Sequence, residues 1–186
     1  MELAWTHKLT SQSPSPQHTL TPTTLREVNQ DFARAYVNRQ GWEVFPVHSA
    51  NDGKCSCPNP GCDKIGKHPR TKNGLLDATT DPGLIARYWN KWPDANIAVR
   101  TGLASGVVVI DVDPDKGGLK AWMALQDEHA AVDTLTVATG GGGWHYYFRA
   151  DGIAYESNVG KLGPGIDVRA EGGYAILPPS RHESGD

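Results

Sequence analysis

The run Val107-Val108-Val109-Ile110-Asp111-Val112-Asp113 constrains this chain more than any other segment. It reads as a β-strand that carries two aspartates at alternate positions. Side chains on a strand alternate between its faces, so Asp111 and Asp113 point the same way. Val108, Ile110 and Val112 take the opposite face and pack in a core. Two carboxylates roughly 7 Å apart along a strand can converge on one or two divalent cations. Sites that hold two metals about 3.5–4 Å apart serve phosphoryl transfer. The same pattern also fits a strand end whose acids are merely solvated.

With 186 residues the chain has room for one domain with a real core, or for two lobes. Its formal net charge of −3 and pI near 6.1 lack the basic footprint of a simple nucleic-acid binder. A grip on DNA must come from a local groove or from another part of a larger protein. No stretch approaches the ~18 apolar residues of a membrane span, and no signal-peptide core is visible, which predicts a cytoplasmic protein without a membrane partner. All three cysteines fall between Cys55 and Cys62. An odd number packed so tightly makes a poor disulfide framework and a better metal site.

Residues 1–22 read as a disordered tail or linker, rich in Ser, Thr, Pro and Gln from Ser11 onward. An ordered domain is expected over residues 23–186. Leu25, Val28, Phe32, Ala35 and Tyr36 recur at helical spacing until Gly41. Trp42 to Val47 reads as a strand, and residues 49–74 as a loop rich in Gly, Pro, Cys and Lys. Thr80 or Asp81 caps a second helix, with Pro82 in its first turn and Leu84, Ile85, Tyr88, Trp89 and Trp92 as its apolar stripe. A third helix is expected from Gly118 to about His129, burying Leu119, Trp122, Met123 and Leu125. Three hairpins are expected: Asn96–Arg100 with Val107–Asp113, Thr134–Ala138 with His145–Arg149, and Ile166–Val168 with Tyr174–Leu177. This order predicts a mixed α/β chain (α+β) around a mixed, largely antiparallel sheet.

Three further segments carry candidate chemistry. The first is Thr139-Gly-Gly-Gly-Gly143-Trp144-His145. Its glycines, Gly142 and Gly143 among them, allow close backbone approach with N–H groups open to phosphate oxygens. It lacks the Gly-x4-Gly-Lys-Ser/Thr pattern of a P-loop. His145 opens the next strand and is a candidate phosphate contact. The second is Gly165-Ile166-Asp167-Val168-Arg169. Asp167 and Arg169 share a strand face, pairing a metal-ligating acid with a cation that grips a triphosphate; an ordinary surface ion pair fits as well. The third is Cys55-Ser-Cys57-x4-Cys62-x5-His68. Three thiolates and an imidazole within fourteen residues match a tetrahedral Cys3His Zn²⁺ site over a loop at 54–70, too polar to build its own core. Free thiols are the alternative.

Taken in order, Asp111-Val-Asp113, Gly143-Trp144-His145 and Gly165-Ile-Asp167-Val-Arg169, closing with Pro178-Pro179-Ser180-Arg181-His182, resemble the bifunctional DNA primase/polymerase branch of the archaeo-eukaryotic primase superfamily. The resemblance runs from about Gly41 to the C-terminus. It implies a two-lobed catalytic core, an N-terminal α/β unit beside an RRM-like lobe. It implies DNA-templated nucleotidyl transfer in replication of a plasmid, phage or similar element, with DNA template and primer and dNTP or NTP as partners. Asp111, Asp113 and Asp167 would hold two Mg²⁺ or Mn²⁺ ions and be catalytic, and His145 would contact the triphosphate. Lys67, Arg70 and Ser180 would lie at the nucleotide or template. The family commonly has Ser-x-His where this chain has Gly143, which removes one hydroxyl. The chain also stops inside what resembles the final strand-loop region, which predicts a fragment of a longer protein with a helicase-like domain C-terminal to it.

Two other readings cover part of the pattern. A DxD glycosyltransferase binds Mn²⁺ and a sugar nucleotide through a similar strand end, but leaves Asp167-Val-Arg169 and the cysteines unexplained. A non-catalytic, zinc-containing nucleic-acid-binding module fits the cysteines but gives the acids no role.

Overall fold

Helix α1 (Pro22–Gln40) opens on a proline, whose missing N–H is no loss in a first turn, and ends before Gly41. The structure is a computed structural model that describes residues 22–185. The tail expected over 1–22 therefore lies, except for Pro22, outside the described residues. The buried face of α1 keeps Tyr36 of the expected stripe but turns away from Phe32. Asn29 and Ala33 are buried, whereas Phe32 is 45% exposed. The helix is rotated because the Asn29 amide donates to the Ala95 carbonyl at 3.0 Å, a bond that a buried polar side chain must find.

Helix α2 (Pro82–Lys91) starts where its cap predicts. The Asp81 carboxylate accepts from the N–H groups of Gly83 and Leu84, and Ile85 and Trp89 face inward. Helix α3 (Gly118–His129) buries Trp122, but Leu119 and Met123 of its expected stripe are 42% and 56% exposed.

The strands are β1 (Val44–Val47), β2 (Ala50–Asn51), β3 (Lys54–Cys55), β4 (Asn96–Arg100), β5 (Val107–Val112), β6 (Thr136–Ala138), β7 (Trp144–Arg149), β8 (Asn158–Val159), β9 (Ile166–Arg169) and β10 (Tyr174–Leu177). They form a three-stranded sheet β1-β4-β10, a five-stranded sheet β6-β7-β5-β9-β8 and the small β2-β3 hairpin. Every ladder is antiparallel. The class is the mixed α+β one expected. Among the described residues no helix is long and apolar enough to cross a membrane.

The β6-β7 hairpin forms as predicted, Thr136 opposite Tyr146. The other two expected hairpins do not. β4 and β5 belong to different sheets and form no ladder, and the backbone bridge between Gly102 and Val107 lies beyond the end of β4. β9 and β10 are likewise split between the sheets. The reason is burial. Asn96 to Val99 are all buried, so β4 takes the middle of its sheet, where β10 returns from the C-terminal end to pair with it. Pro46 is tolerated because β1 is an edge strand.

The five-stranded sheet has one face that is apolar across its three central strands and one divided face. Val108, Ile110, Val112, Ile166 and Val168 pack with Trp122 of α3 on the first. On the other face Val107, Val109 and Tyr147 pack into a shared core with Val44, Ile97, Val99, Ile85 and Trp89. Asp111, Asp167 and His145 lie further along that same face. Slipping β5 by one residue would drive Asp111 into the α3 core and take Val108, Ile110 and Val112 out of it. The register that places the acids is thus fixed by the side chains that are not acids.

Candidate active site and metal centre

Asp111 stands at the meeting of three strands. Its Cα partners are His145 on β7 and Asp167 on β9. Cross-strand neighbours of like charge repel, and Arg169 answers the repulsion. Its Nη2 donates to Asp111 Oδ2 at 3.2 Å and to Asp167 Oδ2 at 3.0 Å. His145 Nε2 lies 3.5 Å from Asp111 Oδ1. Burial works against the Asp111 carboxylate, but His145 and Arg169 outweigh it and hold its pKa below the usual carboxylate value.

Asp113 follows the last residue of β5. Its backbone stays extended, and its N–H donates to the Gly165 carbonyl at 2.8 Å. Its carbonyl accepts from the Gly118 N–H at 2.9 Å, so it is gripped from both sides. That grip needs glycines: a Cβ at Gly165 would lie 2.7 Å, and one at Gly118 2.6 Å, from the Asp113 carbonyl oxygen. The Asp113 side chain caps the short turn Pro114–Lys116 and meets Lys116 Nζ at 2.8 Å. Asp113 first, then the charges of Asp167 and Asp111, hold the lysine ammonium above its usual pKa. Lys116 therefore belongs to the site. Its spacing of three residues from Asp113 within a Pro-Asp-Lys turn was the only sequence signal for it.

His145 rests against an aromatic column. Its ring meets Tyr147 edge-on at 6.2 Å, Tyr147 stacks on Trp42 at 5.5 Å, and Trp42 stacks on Tyr36 at 5.7 Å. His145 Nδ1 and the Tyr147 hydroxyl are buried with no hydrogen-bond partner among the described residues. Burial pushes the Tyr147 hydroxyl strongly up in pKa, so it stays protonated.

The glycine loop is a turn closed by Thr139. The N–H of Gly142 donates to the Thr139 carbonyl and that of Gly143 to Thr139 Oγ1. These two N–H groups, expected to face phosphate, are spent inside the turn. The N–H groups of Gly140 and Gly141 take no partner among the described residues. A Cβ at Gly143 would lie 2.3 Å from the Val112 carbonyl oxygen, so no side chain fits there. Thr139 Oγ1 lies 3.3 Å from that same point, which returns a hydroxyl to the loop.

The remaining sequence candidates divide. Arg70 donates to Asp94 at 2.8 Å and sits over the Trp92 ring. The Ser180 hydroxyl accepts from the Ile97 N–H and donates to the Ile97 carbonyl. Both have partners within the fold. Lys67 is exposed, 3.9 Å from Glu183. Sequence reading missed buried Asn96. Its amide donates to the Gly66 and Arg181 carbonyls and accepts from the Arg181 N–H, tying the cysteine loop to the C-terminal segment.

The cysteine loop leaves the end of β1 and returns to it. The His48 N–H donates to the His68 carbonyl, and the Arg70 N–H to that of Pro46. Potential ligand atoms of Cys55, Cys57, Cys62 and His68 all lie within 4.8 Å of one another. His68 Nε2 is 3.2 Å from Cys55 Sγ and 3.5 Å from Cys62 Sγ. A tetrahedron with usual zinc bond lengths has S···N edges of about 3.5 Å, so the donor set and spacing fit Zn²⁺. Burial opposes the Cys55 thiolate, but the N–H groups of Gly66 and Cys57 and the side chains of His68 and Cys57 bring its pKa down to about 6. The Lys64 N–H favours the Cys62 thiolate, but desolvation and the sulfurs of Cys57 and Cys55 push it up to about 11. His48 stacks on His68 at 4.4 Å and bonds Ser56. Burial, then the charges of His68 and Arg70, push His48 down to about 4, so it adds no charge beside the cluster at neutral pH.

The sequence model of the family described as "Bifunctional DNA primase/polymerase, N-terminal" matches residues 33–186. No curated protein matches the chain. The match covers most of the sequence, and the chain belongs to that family.

Proposed function

We propose, from that membership, that the chain performs DNA-templated nucleotidyl transfer at the sheet face of Asp111, Asp113 and Asp167, with two Mg²⁺ or Mn²⁺ ions. Primase/polymerase chemistry is what the family carries. The observation that supports this site best is the Asp111–Asp167 register pair with Arg169 bridging it. A guanidinium at 3.0–3.2 Å from both carboxylates marks a place that suits positive charge. Three carboxylates are hard oxygen donors of the kind Mg²⁺ and Mn²⁺ prefer. Such ions, when bound, lower the pKa of a primer 3′-hydroxyl and stabilise the leaving pyrophosphate.

The chain's own groups then position and neutralise. Arg169 and His145 face the triphosphate, and the Thr139 hydroxyl with the Gly140 and Gly141 N–H groups cradles it. The aromatic column under His145 keeps the imidazole from tilting away. Cys55, Cys57, Cys62 and His68 hold a structural Zn²⁺ that orders residues 54–70.

Primer extension with Mg²⁺ and with Mn²⁺ tests the reading. The wild-type chain extends a primed template, and Asp111→Ala and Asp113→Ala each lose at least about 10²-fold in rate with an unchanged circular dichroism spectrum. Normal extension by either variant would refute the metal assignment. Preference for a UDP-sugar over dNTP would favour the glycosyltransferase reading instead.

A further inference from the structure

We propose that Lys116 is a movable counter-ion: it sits on Asp113 in the free protein and passes to a phosphate of the incoming nucleotide once the acids take up divalent cations. The inference rests on the metal-binding reading of Asp111, Asp113 and Asp167 above.

The two cations that balance these acids are held differently. Arg169 bridges Asp111 and Asp167 from within the sheet, with both carboxylates at least partly buried. Among the described residues Lys116 forms an ion pair with Asp113 alone, at the end of a side chain that is 73% exposed. An exposed ion pair of this kind contributes little and is easily exchanged. Lysine also suits exchange by its chemistry. Its ammonium is a compact point charge on a flexible stem, whereas a guanidinium is fixed by its planar fork.

The position supplies the destination. Lys116 closes the turn Pro114–Lys116, and that turn abuts the glycine loop. A Cβ at Gly143 would lie 3.2 Å from the Pro114 ring and 2.3 Å from the Val112 carbonyl oxygen. The turn that carries Lys116 thus adjoins the Gly143 end of the glycine loop. The charge balance gives the order of events. Without ligands, three carboxylates face Arg169 and Lys116. Divalent ions arriving at Asp113 make the ammonium redundant there, and an anionic triphosphate gives it a new partner.

Mn²⁺ binding, read from the electron paramagnetic resonance of the free ion, tests this on the zinc-loaded chain with and without a non-hydrolysable dNTP analogue. Without nucleotide, Lys116→Gln binds Mn²⁺ about 2- to 5-fold more tightly than wild type, because the competing ammonium is gone. With Mn²⁺ present, the same variant binds the analogue about 5-fold more weakly. In an Asp113→Asn background Lys116→Gln changes Mn²⁺ affinity no further. Equal Mn²⁺ affinity for wild type and Lys116→Gln, or unchanged analogue affinity, overturns the proposal while leaving the metal site intact. Failure of wild type and variant alike to bind Mn²⁺ sinks the metal-binding reading itself and Lys116 with it.

Discussion

In the loop at 54–70, four candidate ligands come from a stretch of fourteen residues and already stand within 4.8 Å of one another. On the sheet face, three acids come from two strands and a turn, and the chain's own Arg169, His145 and Lys116 stand among them. The loop has almost no core of its own: from Asn51 to Ile65 none of its residues is buried. The acids stand on a sheet packed on both faces. A metal at the loop substitutes for missing hydrophobic burial, so it belongs to the fold. A metal at the acids, as proposed, would compete with charge already placed there, so its loss should leave the sheet folded. The two proposed ion sites differ in what removal of the ion should do.

Chelation separates them most sharply. One equivalent of zinc per chain is expected in the purified protein. Stripping it should raise amide hydrogen exchange across residues 54–70 by on the order of 10²-fold and leave β5, β7 and β9 protected. Exchange that rises equally in both regions would show that the loop and the sheet unfold together. Absence of zinc, with no change on chelation, would leave three free thiols.

A substitution beside the acids should act on substrate rather than on folding. His145→Ala should raise the nucleotide KM about 10-fold, a loss of roughly 1.4 kcal/mol, with a smaller effect on kcat and an unchanged melting temperature. A wild-type KM would remove His145 from the phosphate site. A KM effect accompanied by early melting would instead make His145 a brace of the aromatic column.

Proton release should distinguish the loop's sulfurs. At pH 7 Cys55, with its pKa brought down to about 6, is already largely ionised, whereas Cys62 at about 11 is not. Zinc loading into metal-free protein should therefore release at least one proton, from Cys62. Zinc affinity should fall as pH drops, and more steeply below about 6, where Cys55 must give up a proton as well. A pH-independent affinity between 5 and 8 would mean that these thiols are not the ligands.

The parts of the fold that sequence revealed are those governed by short spacing. The cap Asp81 and the tight β6-β7 hairpin depend on residues within a few positions of each other. The alternation in β5 likewise places Asp111 without reference to the rest of the chain. The β4-β5 and β9-β10 hairpins failed because adjacency in sequence competed with burial, and burial decided which sheet each strand joined. Gly142 and Gly143 looked open to phosphate, but Thr139 closes the turn over their N–H groups. Arg70 and Ser180 looked like ligand contacts because charge and hydroxyl are visible in a sequence, while their partners Asp94 and Ile97 are not.

Sequence alone determined the ingredients: two carboxylates at strand spacing and a third in a later strand, a glycine turn before His145, and a four-ligand loop. Each is local, set by the geometry of a few consecutive peptide units. Only the tertiary structure decided that Asp111 faces Asp167 across a ladder, with an arginine 58 residues away bridging the two and Lys116 on the third acid. Such juxtapositions follow from which apolar surfaces cover one another, a property of the whole folded chain.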